Sequence, residues 1–163
     1  MPPRWRQQSR ECDELHRSAG PRSAARAAVA PTVIVVLHVA TGAAAGAATK
    51  SRLAALFIGP VLHLAGDRVP HRDLHSTRLE IGSGVLALLL LAVRRGPLDP
   101  ATLGAAASSA PDLEHVVPFL RPGGRKLFHD RLGWHRSGPF PVSVQLLLAG
   151  TVLGALLLSD SSA

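Results

Sequence analysis

Histidines and carboxylates in this 163-residue chain gather in short clusters. In the first cluster, His63 and Asp67 are four residues apart, which places them on one face of a helix, one turn from each other. Pro70 is expected to end that helix. The turn after it carries three more groups of the same two types, His71, Asp73 and His75. Imidazoles and carboxylates at such spacing can bind Zn²⁺, Mn²⁺ or Fe²⁺ without thiolates.

A second cluster contains Asp112, Glu114 and His115, and an Arg-rich connector after it carries His129 and His135. Asp112 and His115 are separated by one helical turn. A single His or Asp at a helix end is usually a cap or an interfacial anchor. The two clusters taken together favour a metal or catalytic site.

Two histidines, His38 and His63, interrupt apolar segments. Ionisable groups within apolar helices are unfavourable unless they have a function or a partner. Each is therefore interpreted as either a metal ligand or a hydrogen-bonded core residue. Cys12 is the only cysteine, which excludes an intramolecular disulfide and a thiolate cluster.

The elements that must position these groups are apolar blocks separated by Arg-rich connectors. Mean hydropathy is positive (+0.21) although the formal net charge is +7. Five blocks can be delimited, at about 28–48, 53–66, 79–93, 101–120 and 141–158. The first meets the ~20-residue requirement for a membrane span, whereas the second and fourth are short or weakly apolar. Gly42 and Gly46 form a GxxxG pattern, which predicts a close helix–helix approach.

This pattern predicts an all-α fold, a multi-pass transmembrane helical bundle of four to five helices over residues 28–158. A disordered, Arg-rich cytoplasmic arm would precede it at 1–27, and a polar tail would follow at 159–163. The segments 1–27, 67–78 and 119–138 hold six, three and five of the 18 Lys and Arg residues. The positive-inside rule then predicts an inner (plasma) membrane protein with a cytoplasmic amino terminus and both clusters on the cytoplasmic face.

The positive charge also bears on partners. Nucleic-acid binders interleave aromatic residues with basic ones, whereas this chain has four Phe, two Trp and no Tyr. Membrane lipids with anionic headgroups are the expected partner, and nucleic acid is not. The sequence leaves the oligomeric state open.

The order of motifs resembles a known family. His38 followed by Gly42, then the HxxxDxxPHxD pattern that begins at His63, and then Pro111-Asp112-Leu113-Glu114-His115, is similar to the bacterial membrane-bound metal-dependent hydrolases. The resemblance covers about residues 33–158. Two departures accompany it: Glu114 stands where the family commonly has Asp, and the string that begins at His135-Arg136 lacks the family's later His-Ser pair.

The resemblance implies metal-dependent hydrolysis at the cytoplasmic membrane face, on a phospholipid or other phosphoester, with ester and amide substrates open. Asp73 or Glu114 would be the general base, and Arg72 and Arg136 would pair with a phosphate. The alternative is a non-catalytic metal-binding or accessory membrane protein. The ligands of a divalent ion (Zn, Mn or Fe) would come from His38, His63, Asp67, His71, Asp112, His115, His129 and His135.

Overall fold

Helices account for most of the chain that the computed structural model describes, which comprises residues 34–72, 74, 76–128 and 138–159. Five of them have ten or more residues. Short helical turns join the fourth to the last, among them α5 at Leu113–Val116. The long helices are α1 (Val35–Thr49), α2 (Arg52–Asp67), α3 (Thr77–Arg95), α4 (Pro100–Ser109) and α6 (Val142–Leu158). The described residues all belong to one compact unit.

Three of the five long helices, α2, α3 and α4, begin at a side chain that caps them. The Ser51 hydroxyl accepts a hydrogen bond from the Ala54 amide (3.3 Å), and the Asp99 carboxylate accepts one from the Ala101 amide (2.8 Å). Pro100 occupies the first position of α4, where its missing N–H would have had no partner in the helix. Each predicted apolar block contains one long helix in its described part, although in the fourth block that helix ends at Ser109 and short helical turns follow. The all-α prediction is confirmed for the described residues.

Small residues set the distance between α1, α2 and α4. A side chain at Gly42 would collide with the backbone of Gly104 and with Ser108, and one at Gly59 would lie 2.7 Å from the backbone nitrogen of Ser108. We call Gly42, Gly59 and Ser108 the small-residue layer. A side chain at Gly46 would likewise collide with the backbone of α4. The close approach that the GxxxG pattern predicted is confirmed.

The prediction of a multi-pass transmembrane bundle is wrong. Among the residues described, no helix combines the length and the apolar character needed to cross a membrane. Helices α1, α2 and α6 have 15, 16 and 17 residues. At 1.5 Å per residue they extend about 22 to 26 Å, less than the ~30 Å hydrocarbon core. Helix α3 has 19 residues, but charged side chains occupy both its ends: Arg78, Glu80, Arg94 and Arg95.

The corrected fold removes the basis for two further predictions. The inner-membrane location and the cytoplasmic amino terminus both depended on spanning segments, and the described helices provide none. Ala and Gly raise the mean hydropathy of the apolar blocks, but in α1 and α4 these residues serve helix–helix packing. The predicted arm at 1–27 lies outside the described residues, as do residues 160–163 of the predicted tail.

Candidate metal centre

Three helical segments each carry a side chain that can bind a metal ion, one turn from a residue of the small-residue layer. His38 precedes Gly42 by one turn in α1, and His63 follows Gly59 by one turn in α2. Asp112, in the turn after α4, follows Ser108 at the same spacing. Because the layer holds the three segments in contact, it brings these side chains together at one end of the bundle.

The side chains meet around Asp67, at the last position of α2. Its Oδ1 lies 3.2 Å from Nε2 of His38, and its Oδ2 lies 3.4 Å from Nε2 of His63. The second carboxylate, Asp112, approaches Nε2 of His63 to 3.7 Å. The His38, His63 and Asp67 side chains are at most 3% exposed, so water does not separate these groups.

The described His38, His63 and Asp67 could together hold a metal ion. One nitrogen or oxygen from each lies within 4.8 Å of the others, and all three residues are buried. The His38 and His63 nitrogens lie 3.2 and 3.4 Å from different oxygens of Asp67, so both imidazoles contact the same carboxylate. The prediction of a divalent-metal site is confirmed to this extent, and the identity of the metal stays a prediction.

Burial keeps His38 in its ligand form. Desolvation lowers the pKa of His38 to about 4, and the charge of His63 also lowers it, although the hydrogen bond to Asp67 acts in the opposite direction. At neutral pH the imidazole is therefore uncharged. Only the neutral ring has the nitrogen lone pair that a metal ion requires.

Gly66 gives the His38 ring its space. A Cβ atom at residue 66 would lie 3.0 Å from Cε1 of His38 and 3.4 Å from Nδ1. The His38 and His63 rings pack at a centroid distance of 4.0 Å with an interplanar angle of 33°. The His38 ring therefore packs against α2 at both His63 and Gly66.

His71 stands beside this group on a short paired segment. The Arg72 amide donates to the Phe140 carbonyl (2.9 Å), and the Gly138 amide donates to the His71 carbonyl (2.8 Å). The His71 side chain is buried, and its Nδ1 contacts the Val69 carbonyl. Because a carbonyl only accepts, Nδ1 must carry the proton, and Nε2 is the basic nitrogen of the neutral ring.

A cleft of about 420 Å³ is lined by His38 of the metal centre. Its other polar lining residues are Thr41, His71 and Gln145. Leucine, valine and phenylalanine side chains form most of the remainder: Leu37, Leu62, Val69, Phe140 and Leu148. A small molecule in this cleft would therefore contact both an apolar wall and the ligand histidine His38.

Sequence reasoning missed Gln145. This side chain is fully buried and donates from Nε2 to the carbonyls of Arg72 (2.8 Å) and Phe140 (3.3 Å). It joins the start of α6 to the segment that carries His71. As the only amide side chain in the last apolar block, it had the same signal that identified His38 and His63.

The remaining predicted site residues are less closely associated with the centre. The Glu114 carboxylate is buried and accepts hydrogen bonds from the amides of Leu127 (2.7 Å) and Phe128 (3.2 Å), so it holds the connector after α5. Arg72 is exposed. Their catalytic roles stay predictions. The roles assigned to five further residues lie outside the described part: Asp73, His129, His135, Arg136 and the side chain of His115.

Comparisons with known proteins return nothing similar: no family model, no curated protein and no solved structure matches this chain.

Proposed function

We propose that this protein is a metal-dependent hydrolase. The observation that carries the proposal is the buried His38–His63–Asp67 group, one member of which, His38, lines a cleft of about 420 Å³. Two imidazoles and one carboxylate leave coordination positions open, which distinguishes catalytic sites from closed structural ones. The motif order in the sequence supports the same chemistry.

The ion would be held by His38, His63 and Asp67, and Asp112 lies 3.7 Å from Nε2 of His63 without belonging to this group of three. A divalent ion supplies Lewis acidity, which polarises the scissile oxygen and makes water a better acid. Nε2 of His63 faces both carboxylates, at 3.4 Å from Asp67 and 3.7 Å from Asp112, so this nitrogen is the one that would bind the ion. Burial keeps His38 neutral and ready to bind.

His71 is assigned the role of proton acceptor. The Val69 carbonyl fixes the proton on Nδ1, and the side chain lines the cleft. Nε2 would take a proton from the attacking water and return it to the leaving group. Phosphoester, ester and amide bonds are the classes on which this chemistry operates.

The test is turnover by metal-stripped protein after reconstitution with Zn²⁺, Mn²⁺ or Fe²⁺. Substrates would be bis-p-nitrophenyl phosphate, p-nitrophenyl acetate and an acyl p-nitroanilide. We expect one ion to restore turnover, and His63→Ala to abolish both metal binding and turnover. His71→Gln should retain the metal and lose turnover by roughly 10²–10⁴-fold. Asp99→Asn, an acidic residue at the other end of the bundle, is the matched control and should behave as the wild type.

Bound metal without turnover of any substrate class would contradict the hydrolase proposal and favour a non-catalytic metal-binding protein. Loss of metal in His71→Gln would instead make His71 a ligand and remove its role as proton acceptor.

A further inference from the structure

The cleft has two chemically different parts. Its lining contains the polar side chains His38, Thr41, His71 and Gln145, and the rest is largely aliphatic or aromatic. Several of the apolar residues are open to solvent, Val69 by 50% and Leu148 by 46%. Covering such a surface with an apolar ligand is favourable. The volume of the cleft falls in the ~300–1,000 Å³ range of small-molecule sites.

Gln145 indicates, independently, a polar group that a ligand of the cleft should carry. Its Nε2 donates to two backbone carbonyls, and carbonyls only accept, so the amide cannot be oriented the other way. Its Oε1 is buried and accepts no hydrogen bond from any residue that the structure describes. A buried acceptor is unfavourable unless a donor reaches it. A ligand in the cleft that carries an N–H group would supply that donor.

We propose that the cleft binds an acyl amide. Its apolar chain would lie along Leu37, Leu62 and Leu148, and its N–H would be directed to Oε1 of Gln145. This inference rests on the proposed hydrolase function and narrows its substrate class. An amide has the donor and the scissile bond in one group, whereas an ester or a phosphodiester has no donor. Hydrolysis adds water to the acyl carbon and breaks the C–N bond. The water proton passes through Nε2 of His71 to the leaving nitrogen, which yields a carboxylic acid and an amine.

Calorimetric titration of the metal-free protein tests the inference without depending on turnover. The probes are N-methyloctanamide, N-methylacetamide, which lacks the chain, and N,N-dimethyloctanamide, which lacks the N–H. We expect N-methyloctanamide to bind most tightly. Affinity should fall roughly threefold to fourfold for each methylene removed. It should fall about tenfold when the N–H is replaced by N-methyl.

Two tryptophan substitutions on α6 locate the binding. Leu148 lines the cleft, and Leu148→Trp should fill it and lower the affinity for N-methyloctanamide at least tenfold. Leu147, its neighbour in sequence, is 69% exposed and does not line the cleft, so Leu147→Trp should bind as the wild type does. Both changes are at solvent-accessible positions, and far-UV circular dichroism would verify that both variants fold.

Equal affinities for the three amides, or equal effects of the two tryptophan variants, would overturn the inference. Different results contradict the two proposals. Binding that depends on the chain and on the N–H, but without turnover, would contradict only the proposed hydrolase function. Turnover of p-nitrophenyl acetate by metal-loaded protein that discriminates neither chain nor N–H would remove only the amide pocket.

Discussion

The two ends of the helix bundle satisfy their charged groups in different ways. At the end formed by the carboxyl termini of α3 and α6, Arg95 pairs with Asp99 (3.3 Å) and donates to the Leu156 carbonyl (3.1 Å). Arg94 donates to the Leu157 carbonyl (3.1 Å). These cations bind C-terminal carbonyls and a carboxylate, which are the partners that a helix end provides. We call this the arginine end.

At the opposite end, which we call the histidine end, the Asp67 carboxylate faces two imidazoles, and burial holds the pKa of His38 near 4. A neutral imidazole offers a carboxylate much less than a guanidinium does. A cation between the three groups would add the positive charge that the neutral His38 ring does not carry. The contacts at the arginine end are those of a structural helix-end interaction. The histidine end instead combines the residue types that bind metal ions in proteins.

The largest expected effect separates the ends by metal affinity. Asp67→Asn keeps the shape of the side chain and removes its charge, and it should lower Zn²⁺ affinity by more than the 10–100-fold that follows loss of an outer-shell partner. Asp99→Asn makes the same change at the arginine end and should leave affinity unaltered. Competition with a chromogenic chelator measures both. Equal affinities for the two variants would contradict the assignment.

The second expected effect is the pH dependence of the metal-free protein. The pKa of His38 is about 4 in the folded state and 6.5 in the unfolded state, so only the unfolded chain takes up this proton between those values. Stability is therefore fully present above pH 6.5 and declines as pH falls toward 4, by about 3 kcal/mol. Urea unfolding at a series of pH values measures it. In His38→Gln the free energy of unfolding should no longer decline by this amount between pH 6.5 and 4. A decline that persists in this variant would mean that other groups cause it.

The third effect concerns the layer that positions the ligands. Gly42→Ala places a methyl group against the backbone of Gly104, and such overpacking destabilises by about 1–3 kcal/mol. It should also weaken metal binding, because His38 is one turn away. Gly150 in α6 has open space around it, so Gly150→Ala should stabilise by up to about 1 kcal/mol. If both changes shifted the thermal midpoint alike, the layer would not govern the site.

The smallest effect is expected at the arginine end. Arg95→Gln removes the ion pair with Asp99 and the hydrogen bond to Leu156, which should lower the free energy of unfolding by about 1–2 kcal/mol. Zn²⁺ affinity should not change, since the arginine end is remote from the ligand set. Any parallel loss of metal would show that the two ends are coupled.

Sequence patterns predicted the helices and much of the ligand set, because periodicity and turn residues act locally. His63 and Asp67 were paired by their spacing in one helix, and the structure brings them together. The contact of His38 with His63 and Asp67 depends on packing between helices. It was anticipated only through the unusual place of a histidine in an apolar block.

Two other features could not be obtained from local patterns. The transmembrane prediction failed because the mean hydropathy of a block does not give the length of its helix: α1, α2 and α6 have only 15 to 17 residues, and α3 carries charged residues at both ends. Glu114 looked like part of a catalytic cluster, yet its carboxylate binds the amides of a connector more than ten residues away. Its contacts depend on where that connector folds.

X-ray absorption at the zinc edge tests the central claim most directly. The protein loaded with one equivalent of Zn²⁺ should show two imidazole nitrogens and carboxylate oxygen at about 2.0–2.2 Å, with no sulfur. In His63→Ala one imidazole should disappear from the spectrum. A spectrum with no imidazole contribution, or one unchanged by His63→Ala, would contradict the metal centre.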